Sequence, residues 1–297
     1  MSPKFRGMYF MLLASITFSA MSIFVRLGSI TIPTIELVFF RNLIGLLFVV
    51  PSFYWHPVNQ PFNFKKLPLL IFRGLMGTAA LSIIFYNFKH ISLGLTATYV
   101  QTSPIFIAIF SFVLLKESLL KSSWLAILIG FIGIVFLFNP SIAVPLKFHI
   151  WGVISGIGTA IAYTSVRKLN QYFETRLIIL SFLVCGTIFP AVLMLYGYYS
   201  QAPTDGIFIT TFNIPKGVGW LHVFMIGVTA LLGQIYMTRA YGSTKAGIVA
   251  TTGYFQIFFT AWLGIFFGDP MFQWMEIIGI VLIIISGIVI AYEKDDG

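Results

Sequence analysis

The sequence predicts an all-α integral membrane protein, with ten transmembrane helices arranged as two inverted five-helix repeats. Three observations carry that prediction. The chain of 297 residues is 58% hydrophobic and only 9% charged, with 32 Phe, where an average soluble protein carries about 25% charged residues. Apolar runs near the roughly 20 residues needed to cross a bilayer recur along its whole length. The order of motifs in the first half returns in the second.

So few charges cannot cover a water-facing surface of this size. The apolar runs fill the chain almost completely, which leaves no room for a separate soluble domain. A single cysteine, Cys185, excludes an internal disulfide and any cysteine-based metal cluster.

The spans fall near 7–26, 33–54, 68–88, 94–115, 122–139, 150–168, 177–199, 218–238, 246–267 and 272–292. Turn chemistry separates them: "GSITIP" before the second, "HPVNQPFNFKKLP" before the third, "NPSIAVPLKFH" before the sixth and "QAPTDGIFITTFNIPKG" before the eighth. Only "KHISLG" divides spans three and four, and only "YGSTKAG" divides eight and nine. Each combined run is about twice the bilayer thickness, so each is read as two spans. Lys4 and Arg6 precede the first apolar run as in a secretory signal. That run is too long for a signal core of roughly 7–15 residues, and it is read as a retained span.

With ten spans both termini share a side. That side collects Lys4, Arg6, Lys65, Lys66, Arg73, Lys116, Lys121, Arg167, Lys168, Arg176, Arg239, Lys245 and Lys294. The opposite side holds Arg26, Lys89, Lys147 and Lys216. The positive-inside rule predicts a multi-pass protein of the cytoplasmic membrane with both termini in the cytoplasm. The net charge of +9 is this bias. A nucleic-acid binder would group its charges on a soluble face.

The repeat is visible in two stretches. "SLGLTATYVQTSPIFIAIFSFVLLKES" is echoed by "KAGIVATTGYFQIFFTAWLGIFFGDPM", each ending on an acid, Glu117 or Asp269, and each followed by a span opening on Trp124 or Trp274. The chain divides into repeats at 1–140 and 146–293. Five spans being odd, the second copy enters the membrane in the opposite sense, as in many secondary transporters with a midplane site between halves.

The residues that match a known family are "ELVFFRNLIGLLF", "RGLMGTAALSIIFYNFKHISLGLTATYVQTSPIF" and "KESLLKSSWLAILIGFIGIVFLFNP", then "GQIYMTRAY" and the Gly-rich closing span. In this order the chain resembles the EamA branch of the drug/metabolite transporter superfamily over nearly its whole length. The family often has a Trp midway in spans one and six, where this chain has Phe18 and Tyr163. The resemblance implies a central cavity enclosed by spans one to four and six to nine, with spans five and ten peripheral. Carriers in this branch move amino acids, S-adenosylmethionine, riboflavin or metallophores.

Candidate site residues are the polar groups at membrane depth. Thr98, Gln101, Thr102 and Ile105 fall on one face of span four at helical spacing. Pro104 is expected to kink that helix and free a carbonyl, which membranes tolerate where the backbone lines water or packs in protein. The alternative is that Gln101 and Ser103 bond across to a neighbouring helix. Arg41 lies about 12 Å along span two. It reads either as an anion contact for a substrate carboxylate or phosphate, or as a structural group paired with Glu36 or a carbonyl. Tyr86, Asn87, Tyr163, Gln234, Thr238, Tyr254 and Gln256 complete the candidate cavity, a lining suited to an amphipathic metabolite. Their alternative is the interfacial aromatic belt. Asp269 and Glu117 are expected at the interface or in a gate. Gly130, Gly133, Ser286 and Gly287 mark close helix packing, within the chain or in a homodimer through the peripheral helices.

No GxxxxGK[ST] loop, HExxH motif or Cys/His cluster is present, so neither ATP coupling, a metal nor a cofactor is expected. The function read from the sequence is a permease for a small organic metabolite working by alternating access. The competing class is a non-transporting membrane scaffold or an integral membrane enzyme, which would need an active loop or catalytic cluster.

Overall fold

The computed structural model describes residues 3–55, 62–115, 121–137, 144–203, 206–241, 243 and 252–293. Lys116, Glu117, Lys245 and Lys294 lie outside the described residues. No strand occurs among the described residues.

The helices are α1 (Pro3–Gly28), α2 (Thr34–Trp55), α3 (Leu67–His90), α4 (Leu93–Val100), α5 (Ser103–Leu115), α6 (Lys121–Leu137), α7 (Leu146–Leu169), α8 (Thr175–Tyr199), α9 (Val218–Tyr241), α10 (Phe255–Phe266) and α11 (Trp274–Glu293). Taken as one span, α4 and α5 bring the count to ten among the described residues. Six stretches are long and apolar enough to cross a membrane: Phe5–Gly28, Thr34–Tyr54, Phe64–His90, Leu93–Phe110, Thr175–Tyr199 and Val218–Ala240. Trp124–Leu137, Phe255–Phe266 and Trp274–Val289 are shorter apolar helices. The tenth, α7, dilutes its apolar run with Lys147, His149, Ser155, Thr159, Thr164 and Ser165.

Local chemistry explains the breaks. The chain stops α3 at His90 and restarts at Leu93, where the Ser92 hydroxyl accepts from Leu95 N at 3.3 Å. Proline at position 104 cannot donate to a helical ladder. The fourth span accordingly breaks outright at Gln101 and Thr102. The Thr102 hydroxyl donates to Tyr99 O at 2.6 Å there, satisfying a carbonyl at the end of α4. At the start of α11, Glu276 accepts from the N–H of Gln273, the residue just before the helix, at 2.9 Å.

Contacts between helix ends define two faces. Arg26, late in α1, reaches the end of α3, the link between α3 and α4, and Asp269 beyond α10. Glu36, early in α2, accepts from Asn213 in the link before α9. These ends form the distal face; the face on which α1 begins is the proximal face. Val25, Ile35, Leu37 and Leu93 close the distal half and are completely buried.

Several of the large helix contacts come in matched sets. The pair α1–α9 corresponds to α7–α3, and α2–α9 corresponds to α8–α3, while α2–α8 and α6–α11 correspond to themselves. The α2–α8 crossing shows this at residue level. Asn42 and Leu183 both stand eight residues beyond the first residue of their helix; Gly45 and Gly186 both stand eleven beyond it. A Cβ on Gly186 would meet the Asn42 amide, and one on Gly45 would meet the Leu183 side chain. Each glycine thus admits the other helix's matching residue. Between α6 and α11, Gly133 and Gly279 approach each other's carbonyls, and Gly130 meets Ile105 and Ser286. The small residues of these two helices are therefore used inside the chain.

Candidate functional site

Four helices meet around two arginines. Arg41 on α2 is buried and donates to its neighbour Asn42 through Nη1 at 2.8 Å. Asn42 is held in turn by Val38 O at 2.8 Å and by Gly186 O on α8 at 3.3 Å. Arg73 comes from α3. Both guanidinium groups lie over the ring of Phe182 on α8, at 5.3 Å from Arg41 and 4.8 Å from Arg73. Phe182 stands in α8 at the position that Arg41 occupies in α2, seven residues beyond the first. The fourth contributor is Tyr163 on α7, within electrostatic range of both arginines and 45% exposed. Its open ring gives the cluster an accessible side.

Glycines bring these helices close enough for the cluster to form. A Cβ on Gly74 of α3 would strike Cys185 and the Ser181 carbonyl of α8, and one on Gly77 would crowd Phe182. A Cβ on Gly158 of α7 would meet Ala80 of α3 at 3.0 Å.

The arginines are short of partners. Buried Arg41 Nε, Arg73 Nε and Arg73 Nη1 have no hydrogen-bond acceptor among the described residues. Four carboxylates are engaged elsewhere: Glu36 with Asn213 N, Glu174 with Arg176, Asp269 with Arg26, Glu276 with Gln273 N. An arginine at the centre of a membrane span costs about 2.5–3.5 kcal/mol even in insertion experiments. Two together, with no described ion pair to either, leave that cost without an ionic partner among the described residues. The phenylalanine ring between them supplies a weak cation–π attraction of roughly 0.5–2 kcal/mol, which does not replace a counter-ion.

Arg41 and Tyr163 are the two sequence candidates that meet here. Arg41 does not pair with Glu36. Charge counting groups Arg73 with the proximal loops, but its guanidinium lies inside the bundle, which corrects that assignment.

The other candidates fall elsewhere. Gln101 donates to Gly253 O at 2.7 Å, bridging the break in the fourth span to the segment before α10. Thr98 donates back to Gly94 O at 2.9 Å and Thr238 to Gln234 O at 2.8 Å, each within its own helix. Tyr86 is buried near the distal end of α3 against His90 and Phe148. Asn87 beside it donates to Phe148 O at 3.2 Å. The Tyr254 ring runs to Gly287 on α11, where a Cβ would collide with its hydroxyl. Gln234 and Gln256 are half-buried on α9 and α10.

The distal face carries paired charges instead. Arg26 Nη1 forms an ion pair with Asp269 Oδ1, Nη2 donates to Ile91 O, and Nε donates to Phe88 O at 2.9 Å. Asp269 Oδ2 accepts from Leu93 N at 2.7 Å. One clasp thus ties α1, the α3–α4 link and the end of α10. A second buried polar pair joins Tyr99 of α4 to His149 of α7, oxygen to Nδ1 at 2.5 Å. No group of three His, Cys, Asp or Glu among the described residues is placed to hold a metal.

Comparison with known proteins fixes the setting. The profile of the EamA-like transporter family matches residues 5–139. An uncharacterized transporter of Helicobacter pylori strain J99 is 32% identical, over 96% of this chain and 94% of that protein. The chain belongs to the EamA-like transporter family. The pseudopaline exporter CntI of Pseudomonas aeruginosa is 30% identical to this EamA-like chain, over 97% of it and 96% of the exporter. Human solute carrier family 35 member G1 is 25% identical over 97% of this chain and 79% of that carrier. A solved crystal structure superposes with a TM-score of 0.56 at 17% identity, covering 93% of this chain and 95% of the other, and so shares the fold. Family and relatives point to a multi-pass membrane transporter rather than an enzyme.

Sequence reasoning missed Arg73, Phe182 and Asn42 as members of the cluster. The signal for Arg73 was its place inside span three rather than before it. No signal for Phe182 exists short of aligning spans two and seven from their first residues.

Proposed function

We propose that this EamA-like chain is a secondary transporter that moves a small organic metabolite across the cytoplasmic membrane by alternating access. The moving parts are the repeats 1–140 and 146–293, related by a twofold axis in the membrane plane. The observation that carries the reading is the α2–α8 crossing, where Asn42 fits Gly186 and Leu183 fits Gly45. Such reciprocity is what two oppositely inserted copies of one unit produce where they cross their common axis. Near the crossing, beside Tyr163, lie the buried guanidinium nitrogens without an acceptor among the described residues, Arg41 Nε and Arg73 Nε and Nη1.

On this reading the distal face is external, both termini are cytoplasmic, and the structure is the externally closed state. The Arg26–Asp269 clasp and the Tyr99–His149 pair hold that side shut.

The test is uptake of a pooled metabolite panel by proteoliposomes containing the purified protein, with a pH gradient imposed and then collapsed. Mass spectrometry of the vesicle contents is expected to show selective entry of one chemical class above empty vesicles. Entry of nothing, from protein shown to be folded and inserted, would count against transport.

A further inference from the structure

We infer that the Arg41–Arg73 cluster is a binding site for the anionic group of the transported solute, a carboxylate or a phosphate. This rests on the transporter reading above and narrows it to organic anions. Two guanidinium groups converge from α2 and α3 on one ring of α8. Arg41 is 8% exposed and its buried Nε has no acceptor among the described residues; Arg73 leaves Nε and Nη1 without one as well. Glu36, Glu174, Asp269 and Glu276 form no ion pair with either group. Planar guanidinium forks match carboxylate and phosphate oxygens in pairs, and desolvation strengthens those charge-assisted bonds.

The residues around the arginines suit a solute rather than a permanent counter-ion. Tyr163 offers a phenol and an open ring face, and Phe182 offers a wall for the apolar body of the solute. The site draws on α2 and α3 from one repeat and on α7 and α8 from the other. A bound anion therefore touches both moving halves.

The chain contains its own reporter. Cys185 is the single cysteine, half-buried on α8, and its thiol lies within electrostatic range of Arg73. In nanodiscs of phosphatidylcholine, wild-type protein is treated with a sulfonate-bearing and with a trimethylammonium-bearing methanethiosulfonate, each rate normalised to free cysteine. A local cationic field raises the approach of an anion by roughly 10-fold or more. The expected result is that preference for the sulfonate reagent, shrinking in high salt. Equal normalised rates would overturn the inference.

Benzoate and phenyl phosphate at millimolar concentration are expected to slow the modification about five-fold or more, and neutral benzamide to leave it unchanged. The melting temperature of the wild-type protein reads the same contrast without the thiol. Arg41→Gln and Arg73→Gln should each abolish the protection, with Arg41→Lys retaining part of it. Equal effects of benzamide and benzoate would sink the proposal. So would protection by phosphatidylglycerol in the nanodisc with none by the soluble anions, which would make this a lipid headgroup site. Uptake separates the two readings. Anion protection without transport of any compound leaves this site standing and removes the transporter reading; transport of neutral or cationic solutes alone does the reverse.

Discussion

Replacing Asp269 by asparagine should open the distal face, and the structure sets the size of the effect. The aspartate accepts from Arg26 through Oδ1 and from Leu93 N through Oδ2, with side-chain exposures of 19% for Arg26 and 10% for Asp269. Breaking a fully buried pair from one side costs about 3–5 kcal/mol, and a surface pair is worth about 0–1. Here the orphaned Arg26 keeps two carbonyl acceptors, Phe88 O and Ile91 O. One charged hydrogen bond and part of a cap are lost, worth about 1.5–3 kcal/mol. If the clasp forms only in the distally closed state, that energy shifts the conformational equilibrium roughly 10- to 150-fold towards opening.

The assay is pulsed electron–electron resonance between spin labels at Ile30 and Met271, in a Cys185→Ser background. These positions flank the clasp and are 75% and 76% exposed, so labelling disturbs little packing. The parent should give one short distance; Asp269→Asn should add a longer population, and Arg26→Ala the same one. In a thermal double-mutant cycle the two changes should couple by about 1–3 kcal/mol. Unchanged distance distributions in both variants, or additivity within about 0.5 kcal/mol, would refute the clasp.

Gly186→Ala inserts a methyl group into the Asn42 amide at the α2–α8 crossing. It should lower stability by about 1–3 kcal/mol, whereas Gly217→Ala meets nothing within 4 Å and should cost only the strain of its φ of +50°; thermal melts of the two variants check the contrast. Tyr99→Phe removes the hydroxyl shared with His149 inside a fully buried pair, and a loss on the order of 1–2 kcal/mol is expected in the same melts. Gln101→Leu leaves the Gly253 carbonyl without its donor. About 0.6–1.5 kcal/mol should go with it, and hydrogen exchange near Gly253 should quicken.

The spans were legible because crossing a bilayer demands one property over a long stretch. Nine of the ten emerge near their sequence-read limits, while the start of the ninth span, with most of "YGSTKAG" before it, lies outside the described residues; the short "KHISLG" division is a true helix end because Ser92 caps α4. The oddity of Gln101 to Pro104 was legible as a break for the same local reason: proline leaves the ladder incomplete. Side-chain direction was not legible. Sequence reading sets Tyr254 near the place of Gln101, yet its ring turns to Gly287 because that glycine leaves the space. Arg73 is read from sequence as a loop-side charge because it stands six residues into α3. Only the close approach of α3 and α8 at Gly74 and Gly77 shows its guanidinium turned over Phe182. Glycine contacts depend on a second helix, which no single segment reveals.

If the Arg41–Arg73 cluster binds the anionic group of the solute, its unfilled nitrogens, Arg41 Nε and Arg73 Nε and Nη1, also bear on how empty and loaded forms of the carrier differ. Alternating access passes through a state in which the site is closed to both sides and water is largely excluded. With an anion bound, the two cations enter that state compensated. Without one they enter it with only the Asn42 amide and the Phe182 ring beside them, uncompensated in charge and repelling, at about 2.5–3.5 kcal/mol each before relaxation. A ligand shifts a conformational equilibrium by its differential affinity for the two states, so this difference favours return of the loaded carrier by several kcal/mol, on the order of 10³-fold or more. Exchange of one anion for another should therefore outrun net movement. Proteoliposomes loaded with a labelled anion identified in the uptake screen should release it slowly into buffer and at least ten-fold faster when the same unlabelled anion is outside. Equal rates would mean that the arginines are compensated in the empty carrier, by water or by a group that moves in, and the coupling argument would fail.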